Sequence, residues 1–158
     1  MATVDEDPEV DKPRLQNLMY ICQKVVNDPD LLARDGKTFC NIAVNRICIF
    51  LGYDGFSGLI ANKIYEKCAG TPVWLQVSEY EAHQGALEGE LIVATIKGIP
   101  NGHCAVVYPG ERMIYSGKWK LYCPQVANVG KTNGIMGASW AFKERPLYVR
   151  YRAKGWNR

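Results

Sequence analysis

The strongest constraint on this chain is a change of hydrophobic period near its middle. In the first half, apolar residues recur at three and four positions. Leu15, Leu18, Met19, Cys22, Val25 and Val26 make one stripe after Pro13, which suits a first helical turn. Phe39 to Leu51 repeats the pattern with Cys40, Val44, Ile47 and Leu51 on one face, Thr38 as N-cap and Gly52 as stop. A third helix is predicted from Ser57 to Gly70, and Ser78-Glu79-Tyr80-Glu81 has the form of a capping box opening a short helix. The second half reads as strands: Leu91–Ile96, Cys104–Tyr108, Met113–Tyr115, Val126–Val129, Trp140–Phe142 and the alternating Leu147–Arg152. Helices followed by short strands predict an α+β domain, with N-terminal helices packed on a C-terminal antiparallel sheet.

A chain of 158 residues suits a single domain, here residues 12–158, after an acidic, flexible tail at residues 1–11. That tail holds five acids and no base, so in the remainder 19 Lys and Arg stand against 11 acids, a balance of +8. A basic body favours anionic polymers, yet no Lys/Arg cluster is dense and no nucleic-acid motif is present, so nucleic acid is not the expected partner. No apolar run reaches the length of a membrane span. The N-terminus lacks the basic and apolar segments of a secretory signal, so synthesis in the cytosol is expected.

Six cysteines, Cys22, Cys40, Cys48, Cys68, Cys104 and Cys123, are then expected to be reduced and mostly core residues. They form no C-x-x-C pair, and His83 and His103 do not fall at zinc-finger spacing, which argues against structural zinc. Cys40 departs from the core pattern because it falls in a first helical turn, where unpaired N–H groups and the positive helix end favour thiolate. His103 opens an apolar strand and is the natural proton carrier for such a thiol. Cys48 and Cys68 fall late in their helices, Cys104 should face away from His103, and Cys123 is expected in a loop. His83, among Glu79 and Glu81, reads as a solvated surface residue.

Cysteine on a helix and histidine on a following sheet is the arrangement of papain-like cysteine hydrolases. The chain resembles the bacterial and bacteriophage cell-wall hydrolases of the CHAP and NlpC type over roughly residues 13–152. The resemblance rests on Thr38-Phe39-Cys40-Asn41-Ile42, then Leu51-Gly52, Ala61-Asn62 and Trp74 in the helical half. Gly102-His103-Cys104-Ala105-Val106-Val107-Tyr108-Pro109-Gly110 and Pro124-Gln125-Val126-Ala127-Asn128-Val129-Gly130 carry it in the sheet. It implies cleavage of amide bonds in peptidoglycan peptides, with Cys40 as nucleophile and His103 as general base, then acid. The third, orienting residue is Asn128 by this reading, with Gln125 and Glu111 as alternatives.

The resemblance implies no metal or organic cofactor. Two features depart from the family pattern: Phe39 replaces the usual acidic residue before the cysteine, and no glutamine lies between Pro29 and Cys40 to serve the oxyanion. The Cys40 backbone N–H is left for that role, with Asn41 or Tyr20 as side-chain candidates. Action at the cell wall would follow lysis, injection or dedicated export, as in a phage lysin, a phage-tail or secretion-system component, or a toxin held by an immunity protein. The same chemistry also serves acyltransferases and deamidases acting on protein, and a non-enzymatic interaction domain is the remaining alternative.

Overall fold

Helix α1 (Lys12–Val26) opens the computed structural model, which describes residues 12–152; the acidic segment 1–11 lies outside the described residues. Leu18, Ile21, Cys22, Val25 and Val26 recur at helical spacing on α1 and are all buried, so the helix presents one apolar stripe to the core. A single 3-10 turn, Pro29–Leu31, follows, capped by the Asp28 carboxylate accepting from the Asp30 N–H at 2.9 Å. Helix α2 (Cys40–Phe50) buries Cys40, Ala43, Val44, Ile47 and Cys48. It stops at Gly52, whose φ of 104° is open to glycine and costly for any residue with a Cβ.

Helix α3 (Ala61–Gly70) starts later than the Ser57 expected from sequence. Gly58 takes φ 78°, which breaks any helix through it, and the extended Ile60 becomes the N-cap. Strand β1 (Trp74–Val77) then precedes helix α4 (Glu79–Leu87), so Trp74 belongs to the sheet and not to the helical half. The capping box of α4 forms as expected: Ser78 Oγ accepts from the Glu81 N–H at 3.1 Å, and the Glu81 carboxylate accepts from the Ser78 N–H at 2.9 Å.

Strands β2 (Ile92–Ile96), β3 (His103–Tyr108), β4 (Ile114–Ser116), β5 (Leu121–Cys123), β6 (Gln125–Asn128) and β7 (Gly134–Gly137) follow, then the one-turn helix α5 (Ala138–Ala141) and strand β8 (Leu147–Tyr151). The predicted strand Trp140–Phe142 is therefore mostly helical, and Cys123 sits buried on a strand instead of in a loop. Six strands pair antiparallel in the order β1-β8-β2-β3-β6-β7, with β4 and β5 as a separate hairpin. The molecule is α+β, as the change of period indicated.

Register divides the sheet into two faces. Val93 stands opposite Val106 and Val149, and Thr95 opposite Cys104, so these side chains share one face. That face meets the helical layer, where Cys104 lies within electrostatic reach of Cys48 on α2 and Cys68 on α3. Ile92, Ala94 and Tyr148 point the other way, and Ile92 meets α4. A Cβ added at Gly85 would fall 2.5 Å from Ile92 Cδ1, so glycine there lets α4 lie close on the sheet. This contact buries His83, which is 6% exposed and not the solvated residue its acidic neighbours suggest.

Candidate active site

Cys40 is the first residue of α2, and its N-cap, Phe39, makes no side-chain hydrogen bond to the helix start. Thr38 therefore does not cap α2, contrary to the sequence expectation. The consequence is chemical: with no side-chain oxygen from the N-cap, the first-turn N–H groups keep their positive potential for a sulfur anion or an oxyanion. The Cys40 side chain is buried, at 7% exposed, against the start of β3.

β3 delivers two groups to that sulfur. The His103 ring and Cys104 both lie close enough to it to shift its ionisation. The Cys104 thiol does most to hold the Cys40 pKa well below the usual thiol range; burial opposes, and the His103 bond and charge add to the lowering. Burial pushes His103 down, but the bond and charge of Cys40 and the bond to Asn128 outweigh it, leaving the imidazole above its ordinary 6.5. Thiolate and imidazolium thus stabilise each other in a site with little water.

Asn128, the last residue of β6, places Oδ1 2.6 Å from His103 Nε2. Its amide orientation is fixed from the far side, because Nδ2 donates to the Thr132 carbonyl at 2.8 Å. An acceptor facing Nε2 keeps a proton on that nitrogen, so Nδ1 is the nitrogen left for the Cys40 sulfur. Phe142, 2% exposed, lies tilted against the imidazole with ring centroids 4.8 Å apart. On another side Gly130 comes so near that an added Cβ would sit 3.3 Å from His103 Cε1. The ring is held by one hydrogen bond, one aromatic wall and one close backbone.

The loop after Asn128 is tied to the loop before α2. The Gly130 N–H donates to Asn133 Oδ1 at 2.9 Å, and Asn133 Nδ2 donates to the Leu31 carbonyl at 3.0 Å. The other candidates for the third residue lie elsewhere. Gln125 is at the far end of β6, paired with Tyr108 and donating to the Arg112 carbonyl, and Glu111 is exposed beyond the opposite end of β3. Neither oxyanion side chain suggested by sequence is in place. Asn41 donates to the Leu59 carbonyl at 3.0 Å, and Tyr20 packs at a tilt against Phe50 at the other end of α2, about 15 Å along the helix.

Sequence reasoning did not assign Cys104, Thr132, Phe142 or Gly130 to the site. Strand alternation does turn Cys104 away from His103, as expected, but Cys40 sits by the start of β3, within influence of both residues. By residue type Phe142 reads as strand, and the turn of α5 brings it to the imidazole.

No protein-family model matches this chain, and a search of the curated proteins returns no match. Among the described residues, no helix is long and apolar enough to cross a membrane, and no three His, Cys, Asp or Glu side chains gather as metal ligands.

Proposed function

We propose that the protein is a cysteine peptidase or amidase that hydrolyses amide bonds in the stem peptides of peptidoglycan. One observation carries the chemistry: a buried cysteine at an uncapped helix start, beside a histidine whose Nε2 is held by an asparagine. The resemblance of the motifs around Cys40, His103 and Asn128 to cell-wall hydrolases supports the substrate class.

In this reading the Cys40 thiolate adds to the amide carbonyl carbon, and the oxyanion accepts a hydrogen bond from the Cys40 N–H. His103 gives its Nδ1 proton to the amide nitrogen, the C–N bond breaks, and the amine leaves a thioester on Cys40. Water then attacks the thioester as Nδ1 takes its proton, and the acid departs with thiolate restored. Asn128 orients the imidazole in both halves of the cycle without exchanging a proton.

Incubation with purified peptidoglycan, followed by mass analysis of the soluble fragments, tests the proposal. Hydrolysis adds one water per cut and exposes a new amine and a new carboxyl group at a defined peptide bond. Fragments joined to an added amine, with no water gained, would instead identify an acyltransferase. An intact polymer under conditions where Cys40 is reactive would reject the substrate class.

A further inference from the structure

Cys40 reaches the site on α2, whereas His103 and Asn128 reach it on the sheet, so their spacing depends on what joins these two parts. Asn133, a partly buried residue just before β7, touches both. On the imidazole side, its Oδ1 accepts at 2.9 Å from the N–H of Gly130, whose buried backbone lies against His103. The carbonyl of the Thr132–Asn133 peptide accepts from Asn128 Nδ2, which leaves Asn128 Oδ1 facing the imidazole. On the other side, Asn133 Nδ2 donates at 3.0 Å to the carbonyl of Leu31, 102 residues earlier in the chain. Leu31 is buried, so this carbonyl belongs to the packed core and not to a free loop.

From Leu31 the link runs on to the sulfur. In the same turn the Asp30 carbonyl accepts from Arg34 Nη1 at 2.9 Å, and the Arg34 guanidinium lies over the Phe39 ring, 4.7 Å from its centroid. Phe39 is the N-cap of α2 and precedes Cys40 directly.

We propose that Asn133 is a positioning residue for the Cys40–His103 pair: its amide braces the loop that holds the imidazole against the segment that leads into the Cys40 helix start. The two ends of the amide do separable work. The Oδ1 bond closes the turn between β6 and β7 on itself, whereas the Nδ2 bond crosses from the sheet to the helical half. Asparagine presents an acceptor and a donor side by side, which an aspartate cannot match, since a carboxylate has no proton to give the Leu31 carbonyl. Small errors in the spacing of reacting groups have large effects on reactivity. The inference rests on Cys40 being the nucleophile, but it concerns the placing of sulfur and imidazole and not the bond that is cut.

The test is the rate of Cys40 alkylation by iodoacetamide against pH, followed by peptide mapping, in the wild type, Asn133→Ala and Asn133→Asp. His103 and Cys104, both on β3, are the titratable groups that act on Cys40. The wild type should react with an inflection below the ordinary thiol range. Asn133→Ala should move that inflection up by about half a pH unit or more, because an imidazolium held less closely stabilises the thiolate less. Asn133→Asp, which keeps the side-chain volume should the smaller variant fail to fold, should move it as far. Salt of about 0.5 M screens the charge this variant adds. A residue that only supports stability would leave the inflection of the folded protein in place, so an unmoved value in Asn133→Ala would overturn the proposal. A shifted Asn133→Ala beside an unshifted Asn133→Asp would reduce Asn133 to closing its own turn, and would overturn it too. Shifted variants of a protein that leaves peptidoglycan intact would remove the proposed substrate while leaving this inference standing. An ordinary inflection in the wild type would overturn this inference together with the cysteine mechanism.

Discussion

Cys40 and Cys48 are the same residue on the same helix, about 12 Å apart along its axis, and their environments make them opposites. Both are buried. Cys48 is fully enclosed near the C-terminal end of α2, where burial first and then the neighbouring Cys68 and Cys22 push its thiol well above the usual range. Cys40 has Cys104 and the His103 ring of β3 beside it and a helix start without a side-chain cap, and its thiol is held well below that range. Burial therefore does not set thiol reactivity. The outcome depends on whether polar donors enter the buried site with the sulfur, and here one strand, β3, brings them to one end of the helix only.

The comparison is broken most directly by substitution at its two ends. Cys40→Ala should reduce peptidoglycan cleavage to background with the fold intact, and His103→Ala should do the same. The double variant should be no worse than either single one, since the two act as a unit. Cys48→Ala should keep its activity per folded molecule and instead lose roughly 1–2 kcal/mol of stability through the space left in the core. Turnover of each variant, with a denaturant titration alongside, gives the contrast. A cleaving Cys40→Ala protein would end the cysteine mechanism.

The orienting residue sharpens the same contrast at a smaller scale. Asn128→Ala leaves thiol and imidazole in place but frees the ring, so kcat should fall by roughly 10- to 1000-fold. Gln125→Ala and Glu111→Ala, at the far ends of β6 and β3, should turn over like the wild type. A crippled Gln125→Ala beside an unaffected Asn128→Ala would relocate the third residue despite the 2.6 Å contact seen here.

How far the sequence reaches can be judged from these residues. Helices α1 and α2, the capping box of α4 and strands β2, β3 and β8 follow from local period and capping chemistry, which a single chain displays. The pairing of Cys40 with His103 was legible because each sits at the start of its own element. What was not legible depends on close approach between elements. His83 reads as solvated beside Glu79 and Glu81, but Ala82, Gly85 and Ala86 let α4 sink onto the sheet and bury it. Ser57 reads as a helix start, but the φ of Gly58 delays α3 to Ala61. Trp140 and Phe142 read as strand by residue type, whereas the short α5 leaves Trp140 81% exposed and turns Phe142 inward onto His103. Thr38 reads as a cap, and the helix start it does not cap is the one the sulfur uses.

Gly130 probes how tightly the reactive end is built. Gly130→Ala would place a methyl 3.3 Å from His103 Cε1, and Phe142 blocks the ring from yielding freely on another side. A displacement of a few tenths of an ångström should lower kcat by roughly tenfold, with KM little changed, because ring position matters most in the proton-transfer steps. Equal kcat for Gly130→Ala and wild type would show that the imidazole position is less constrained than this packing implies.

The smallest expected effect lies on α4. His83 is buried on α4 with Nδ1 lacking a hydrogen-bond partner, and burial holds its pKa below the ordinary 6.5. The sign follows from proton counting. Between the folded value and 6.5 the unfolded chain binds more protons at this position than the folded one, so stability falls as pH drops through that window. Above 6.5 this contribution is fully present. His83→Ala should therefore remove one acid-sensitive component of stability, while costing about 1 kcal/mol at neutral pH through lost packing. It should leave cleavage per folded molecule unchanged, because Cys40, His103 and Asn128 lie on α2, β3 and β6 and none of them on α4. Chemical denaturation of both proteins at several pH values below and above 6.5 tests this. Parallel losses on acidification would mean that His83 is not the group charging on unfolding. Lost turnover in folded His83→Ala would instead couple α4 to the site, and would undo the separation between a reactive end of α2 and an inert remainder of the core.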